Sequence, residues 1–207
     1  MNLPIPIFLA VEDDLSERLL IRILQDRPAC APGPVLKRNG FGYLRRNAAA
    51  FNGMARVSPV LMLTDLDRHV CPPSLIQEWL SQPRHRDFLF RVAVREVEAW
   101  VLAADEQFAR FLGVRRAVSY PRPEDLPDPK LELLRLAATS PRRDIRDGLV
   151  RREATGNLRQ GPAYNSTLAT FIQNGWIPAA AGAKCPSLRK VLTALSQLEA
   201  DWRGRRA

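Results

Sequence analysis

Three groups of acidic residues follow apolar segments of this chain. Glu12 comes directly after PIFLAV, Asp65 and Asp67 follow PVLMLT as the pair Asp-Leu-Asp, and Glu96 and Glu98 follow FLFRVAV. Side chains alternate between the two faces of a strand, so an Asp-x-Asp pair points to one side if the backbone stays extended. Converging carboxylates repel one another, and a bound cation relieves that repulsion. The pattern therefore predicts a divalent-metal site.

Oxygen ligands of this kind suit Mg²⁺ or Mn²⁺ better than Zn²⁺. A bound divalent ion holds a phosphodiester and lowers the pKa of an attacking water. We predict Glu12 as a metal ligand that is also placed to act as general base, and Asp65 and Asp67 as metal ligands. Glu98 is predicted as a supporting ligand or the ligand of a second metal. A structural role stays open for neighbouring acids, because first-turn acids favour the helix dipole and Asp13 stands at a helix start.

The elements that would position these acids alternate between strand and helix. The predicted strands and helices, in order along the chain, are 6–12, 15–27, 34–37, 43–55, 59–64, 71–82, 88–94 and 96–113, with a turn at NGFG (39–42). Apolar strands that alternate with helices are typical of an α/β fold with a mostly parallel sheet sandwiched by helices. Ligands of such sheets bind at the carboxyl ends of the strands, which is where the acids fall.

After residue 114 the pattern changes to proline-rich turns and helical segments. The predicted helices are 129–139, 142–152, 163–173 and 186–202. The segment PRPEDLPDP (121–129) is the best boundary, because prolines interrupt both helices and strands. We therefore predict a sheet domain over 1–120 and a helical extension, packed on the sheet, over 121–207.

The net charge of +9 comes almost entirely from arginine, with 27 Arg against 4 Lys. Guanidinium groups bind phosphate bidentately, so a nucleic acid is a natural partner, although GC-rich coding explains the same composition. Six arginines crowd into residues 142–159, where they form either a solvated helix face and loop or a track for phosphate. The candidate cations for substrate phosphate, each also explicable as an ordinary surface residue, are Arg68, Lys130, Arg142 and Arg143. His69 is a candidate contact to phosphate, and Tyr164 and Asn165 are candidate contacts to a nucleobase.

No apolar segment is long enough to span a membrane, and the N-terminal apolar run meets Glu12 too early for a secretion signal. We therefore expect no membrane association and a cytoplasmic location. Three cysteines, far apart and without metal-ligand spacing to histidine, indicate reduced thiols rather than disulfides or a zinc site.

Two families share parts of this pattern. FLAVEDD and LMLTDLD resemble a receiver domain, which places an acidic pair after its first strand and a phosphorylated aspartate after its third. That family also needs a lysine after its fifth strand. The chain has no lysine between Lys37 and Lys130, which disfavours a receiver domain.

The stronger resemblance is to Toprim-like domains, whose pattern is a glutamate after the first strand and Asp-x-Asp after the third. Glu12 and Asp65-Leu66-Asp67 match it. VEDDLSERLL, LTDLDRHVCPPSLIQEWL, FRVAVREVEAWVLA, DPKLELLRLA and GPAYNSTLATF also resemble a family of small bacterial Toprim-like proteins related to the overcoming-lysogenization-defect nucleases. The chain departs from this pattern where Asp13 replaces a glycine, and where Ala104 stands in place of an acid that Asp105 follows.

The resemblance implies a metal-dependent nuclease that acts on DNA or RNA. It also implies an ABC-type ATPase as partner and a role in anti-phage defence. The alternative is a non-catalytic binding or sensor module that uses the same fold to dock an ATPase or a nucleic acid.

Overall fold

The computed structural model describes residues 3–38 and 41–205. These residues form two compact units. The first contains the described residues up to Val94 and those from Ser187 onward, and the second is Arg95–Pro186. The domain boundary predicted at 120–121 falls within the second unit. The turn predicted at 39–42 includes residues 39 and 40, which lie outside the described residues.

A four-stranded sheet forms the centre of the first unit. Its strands are β1 (Ile5–Val11), β2 (Cys30–Lys37), β3 (Val60–Asp65) and β4 (Phe88–Ala93). They pair in the order β2-β1-β3-β4, and each pairing is parallel. The predicted α/β fold with a parallel sheet is confirmed, and each predicted strand overlaps an observed one.

Helices connect the strands and make up most of the second half of the chain. They are α1 (Asp14–Gln25), α2 (Phe41–Met54), α3 (Pro72–Trp79), α4 (Glu98–Leu102), α5 (Asp105–Leu112), α6 (Pro129–Ala138), α7 (Arg143–Leu149), α8 (Tyr164–Asn174), α9 (Pro178–Lys184) and α10 (Pro186–Gly204). A single 3₁₀ turn, Pro123–Asp125, precedes α6. The predicted helical C-terminal half is confirmed.

The strand order places helices on opposite faces of the sheet. The chain moves from β1 to β2 in one direction and then from β2 to β3 and β4 in the other, so right-handed crossovers put α1 on one face and α2 and α3 on the other. Ala10, Met62 and Phe90 are register partners on one face. They are buried in one cluster with residues of α2 and α3, including Phe51 and Trp79.

Two predictions for the second unit are wrong, and one of its helices was not predicted. The helix predicted at 96–113 is two helices, α4 and α5, with Ala104 between them outside helical geometry (φ −88°, ψ 47°). The helix predicted at 142–152 is shorter than expected, because α7 ends at Leu149. The chain then continues into an antiparallel hairpin of β5 (Val150–Arg152) and β6 (Leu158–Gln160). The short helix α9 was not predicted.

None of the helices within 3–38 and 41–205 is long and apolar enough to cross a membrane. Cys30, Cys71 and Cys185 are free thiols.

Candidate functional site

Glu12 and Asp65 meet at the carboxyl edge of the sheet. β1 and β3 are hydrogen-bonded neighbours, and Val11 pairs with Leu63. Glu12 is the residue after β1, and Asp65 is the last residue of β3. The chain leaves β1 and β3 in opposite directions across the sheet, so their carboxyl ends form the switch point where open α/β sheets bind ligands. The predicted convergence of these two acids at one edge is therefore present.

The Glu12 carboxylate is held across the two strands. Its Oε1 accepts a hydrogen bond from the hydroxyl of Thr64, which is buried. The same oxygen accepts a second hydrogen bond, of 3.2 Å, from the backbone N–H of Asp65. A residue just outside β1 is thereby fixed to the end of β3. Thr64 was not among the predicted site residues; the signal for it is a hydroxyl in an apolar strand, one position before the first aspartate.

Burial is the main influence on the charge of Glu12. It raises the pKa of Glu12, and the hydrogen bonds from Thr64 and the Asp65 N–H only partly oppose that effect. The negative charges of Asp67 and Asp13 raise it further. The site therefore makes ionisation of Glu12 unfavourable, and a bound cation would offset this cost.

The chain turns sharply after Asp65. The backbone N–H of Leu66 still donates to the carbonyl of Ala93 at 2.8 Å, and Leu66 is buried. Asp67 then has a φ of +48°, and within the described residues no other non-glycine residue has a positive φ. The extended backbone assumed for the Asp-x-Asp pair therefore ends before Asp67. Such a conformation is unfavourable for most side chains, and aspartate is among those that tolerate it.

Three nearby acids have structural partners. The Asp13 side chain caps α1, because its Oδ1 accepts a hydrogen bond from the backbone N–H of Ser16 at 2.8 Å. Asp14 and Glu17, in the first turn of α1, both pair with the ammonium group of Lys37. The three acids that follow Glu12 therefore have a structural role, because they stabilise the start of α1.

Arg68 and His69, which follow Asp67, differ in their surroundings. Arg68 is exposed. His69 lies with its Nδ1 at 3.3 Å from the carbonyl oxygen of Leu66 and its Nε2 at 3.6 Å from a carboxylate oxygen of Glu78. The histidine is therefore positioned by the turn itself and by α3.

Glu98 lies at the start of α4 in the second unit and is only 1% exposed. Its Oε1 accepts a hydrogen bond of 2.9 Å from the hydroxyl of Tyr164 and lies 3.5 Å from the Nζ of Lys130. The Nζ of Lys130 is also 3.7 Å from Glu96. Lys130, predicted to contact phosphate, is thus already paired with two carboxylates. Burial, the charge of Glu98 and the hydrogen bond to it raise the pKa of Tyr164 well above its ordinary value.

The remaining predicted residues of the second unit lie on its surface or in structural contacts. Arg142 donates to the carbonyl of Phe111 at 3.3 Å and pairs with Asp144 at 3.5 Å, while Arg143 is exposed at the start of α7. Asp105 binds the Nζ of Lys184 at 2.7 Å. The role of Asp105 is therefore to join α5 to α9.

No three acidic, histidine or cysteine side chains within residues 3–38 and 41–205 stand close enough together to enclose a metal. Magnesium is typically held by one or two carboxylates together with water and substrate phosphate, not by a complete cage of side chains. The donors at the carboxyl edge are carboxylate oxygens, and burial disfavours the charge on one of them, Glu12. These donors fit an ion of that kind.

Comparison with protein-family models, curated proteins and solved structures found no match to this chain.

Proposed function

We propose that this protein is a divalent-metal-dependent nuclease that hydrolyses phosphodiester bonds in DNA or RNA. The observation that carries the proposal is the position of Glu12 and Asp65 at the switch point of the parallel sheet, with a hydrogen bond of 3.2 Å between the Glu12 carboxylate and the Asp65 N–H. The charge of Asp67 also acts on Glu12. The resemblance of these residues to the Toprim pattern supports the same activity.

In this proposal Glu12, Asp65 and Asp67 would bind Mg²⁺ or Mn²⁺, either directly or through water molecules on the ion. An ion held there would supply an activated water and neutralise charge on the phosphate. Thr64 and the Asp65 N–H orient the Glu12 carboxylate. Asp13 and its hydrogen bond to Ser16 fix the start of α1 directly after Glu12. The turn at Asp67 directs the chain away from the strand, so Arg68 is exposed beside the acids, where it can contact substrate phosphate.

The resemblance also supports an ABC-type ATPase as partner and anti-phage defence as the biological role. Glu98 is not needed for the proposed chemistry, because in the second unit it is engaged by Tyr164 and Lys130.

We predict that the Asp65→Ala/Asp67→Ala variant cuts nucleic acid at least about a hundredfold more slowly than the wild type, because it lacks two metal-binding carboxylates. The assay incubates purified protein with single-stranded DNA, duplex DNA and tRNA in Mg²⁺ or Mn²⁺, and again in EDTA. Asp144→Ala/Asp147→Ala is the matched control, since both side chains are about 70% exposed, at 72% and 69%, and the same charge is removed.

Cutting in EDTA would refute a metal-dependent nuclease. Equal cutting by the Asp65→Ala/Asp67→Ala variant would refute these two aspartates as its metal-binding residues. Calorimetric titration with Mn²⁺ provides a readout besides activity. We expect the wild type and the control to bind the ion and the variant to bind it much more weakly. If the wild type fails to bind Mn²⁺ at millimolar concentration, the result favours the alternative of a non-catalytic binding module.

A further inference from the structure

The β5–β6 hairpin forms one wall of a groove within the second unit. The groove has a volume of about 710 Å³, and Lys130 and Leu134 of α6 line its other side. The hairpin contributes Arg151, Arg159 and Gln160. A single phosphate fills only a small part of such a volume, so the groove has room for a larger ligand.

Two arginines face each other across the hairpin. Arg151 and Arg159 are directly opposite in the antiparallel register, so their side chains share a face. Like charges in this position destabilise a strand pair, and a bound anion between them would remove that cost. The Nε of Arg159 pairs with Glu153 at 3.0 Å. Arg151 is exposed, and its guanidinium makes no ion pair within the part of the chain that the structure describes.

The acidic residues of the groove are already hydrogen-bonded. Glu96 accepts from the backbone N–H of Lys130 at 3.0 Å, Asp128 accepts from the N–H of Leu131 at 2.7 Å, and Glu153 holds Arg159. These contacts offset part of the negative charge of the carboxylates. The groove as a whole is lined by three acidic and three basic side chains. The positive charge belongs to the hairpin itself, because residues 150–160 contain three arginines and one acidic residue.

The neighbouring sequence adds to this charge. Residues 142–160 contain six arginines and three acidic residues, and the whole chain has a net charge of +9. Guanidinium groups bind phosphate oxygens in pairs, and a basic surface attracts a polyanion from a distance. A polymer with repeating phosphates fits this surface better than a free phosphate does.

We propose that Arg151 and Arg159 bind the phosphate backbone of a nucleic-acid strand lying in this groove. The proposal rests on the proposed function, because it names the surface that holds the substrate of the nuclease. The phosphate contacts predicted individually from the sequence were Arg68, Lys130, Arg142 and Arg143, whereas Arg151 and Arg159 were only part of the crowded arginine region.

Binding of a fluorescein-labelled single-stranded oligonucleotide, measured by anisotropy in EDTA at several salt concentrations, tests the proposal. We expect Arg151→Ala/Arg159→Ala to bind about tenfold more weakly at low salt and to reduce the slope of log K against log salt by about 1.4, the value for two lost phosphate contacts on a single strand. Arg151→Lys/Arg159→Lys retains both charges and should largely restore the slope.

Arg115→Ala/Arg116→Ala is the matched control, because both residues are exposed, belong to the same unit and lie outside the groove. It should bind almost as the wild type does. Equal weakening in both double variants, or no binding by the wild type, would overturn the proposal. Circular dichroism of each variant verifies that it is folded.

Because binding is measured in EDTA, where the proposed metal-dependent cutting cannot occur, this proposal and the nuclease assignment can fail independently. A wild type that binds through the hairpin and cuts nothing with Mg²⁺ would refute only the nuclease. A wild type that cuts, with unchanged binding in Arg151→Ala/Arg159→Ala, would refute only the hairpin site.

Discussion

At the residue scale, the Glu12 carboxyl group lies in a position where burial disfavours its charged form. The hydrogen bonds from Thr64 and the Asp65 N–H fix its position but do not remove the cost of ionising it. Active sites commonly combine a fixed geometry with an unfavourable charge, at the expense of stability. The same residue that defines the site should therefore lower the stability of the free protein.

We predict that Glu12→Gln is more stable than the wild type at pH 7 and without metal. The amide oxygen can still accept both hydrogen bonds, and the buried charge is gone. The expected gain is about 1 kcal/mol, which is about 2–4 °C in Tm for a chain of this size. Differential scanning calorimetry measures it.

The pH dependence of this gain follows from the sign of the pKa shift. Below the ordinary value of 4.5, Glu12 is protonated in both the folded and unfolded states, so it imposes no cost. The cost appears as pH rises and is complete above the raised pKa of the folded state. The gain should therefore vanish in acid. The exposed Glu106→Gln control should stay within about 0.5 kcal/mol of the wild type; a destabilised Glu12→Gln variant at pH 7 would contradict the prediction.

At the scale of elements, the β5–β6 hairpin depends on close backbone approach to α7. The Gly161 N–H donates to the carbonyl of Leu149 at 2.8 Å. A Cβ at Gly161 would lie 2.4 Å from the carbonyl oxygen of Gly148, which is far inside van der Waals contact. The position of the hairpin therefore requires glycine just after β6.

We predict that Gly161→Ala destabilises the protein by about 2–3 kcal/mol, because backbone must move to admit the methyl group. Gly53→Ala is the control. It lies in α2, and a Cβ at this position would have no atom within 4 Å outside the helix backbone. Alanine should therefore be neutral or stabilise the protein by up to about 1 kcal/mol. Urea denaturation compares the two, and equal stabilities would show that the hairpin can shift without cost.

The sequence predicted most of the elements that place Glu12 and Asp65, because apolar strands and helical spacing are local signals. It did not predict the separation of α4 from α5, since no glycine or proline interrupts the chain at Ala104. Nor did it reveal the hairpin, whose three-residue strands are too short and too arginine-rich to show alternation. The partners of Lys130 come from long-range packing, which spacing along the chain does not report.

At the scale of the whole molecule, the first unit is assembled from two separated parts of the chain. α10 returns to it after the second unit, and five apolar residues of this helix are buried: Leu188, Val191, Ala194, Leu195 and Leu198. Arg27, just after α1, donates to Glu199 at 2.9 Å and to the carbonyl of Leu192 at 2.8 Å. The Ser187 hydroxyl accepts from the Val94 N–H at 3.4 Å. These contacts tie the last helix to the sheet-bearing part of the chain.

We predict that Arg27→Ala lowers the free energy of unfolding by about 2 kcal/mol, because the guanidinium and its partner Glu199 are mostly buried, at 16% and 18% exposed. Arg45→Ala is the control. Arg45 pairs with Glu78 at 3.0 Å, and the two side chains are 53% and 44% exposed, so the loss of this pair should cost about 0.5 kcal/mol or less. Chemical denaturation measures both, and similar losses would mean that Arg27 does not anchor α10.

The two-part construction of the first unit also sets an order of events during synthesis. The ribosome makes the chain from its N-terminus, so β4 leaves the ribosome well before α10 exists. Every residue of the second unit, Arg95–Pro186, is made in between. The inserted unit is one continuous stretch of chain, so it can fold while the first unit is still incomplete. The carboxyl edge that holds Glu12 and Asp65 thus belongs to the unit that is completed after the inserted one.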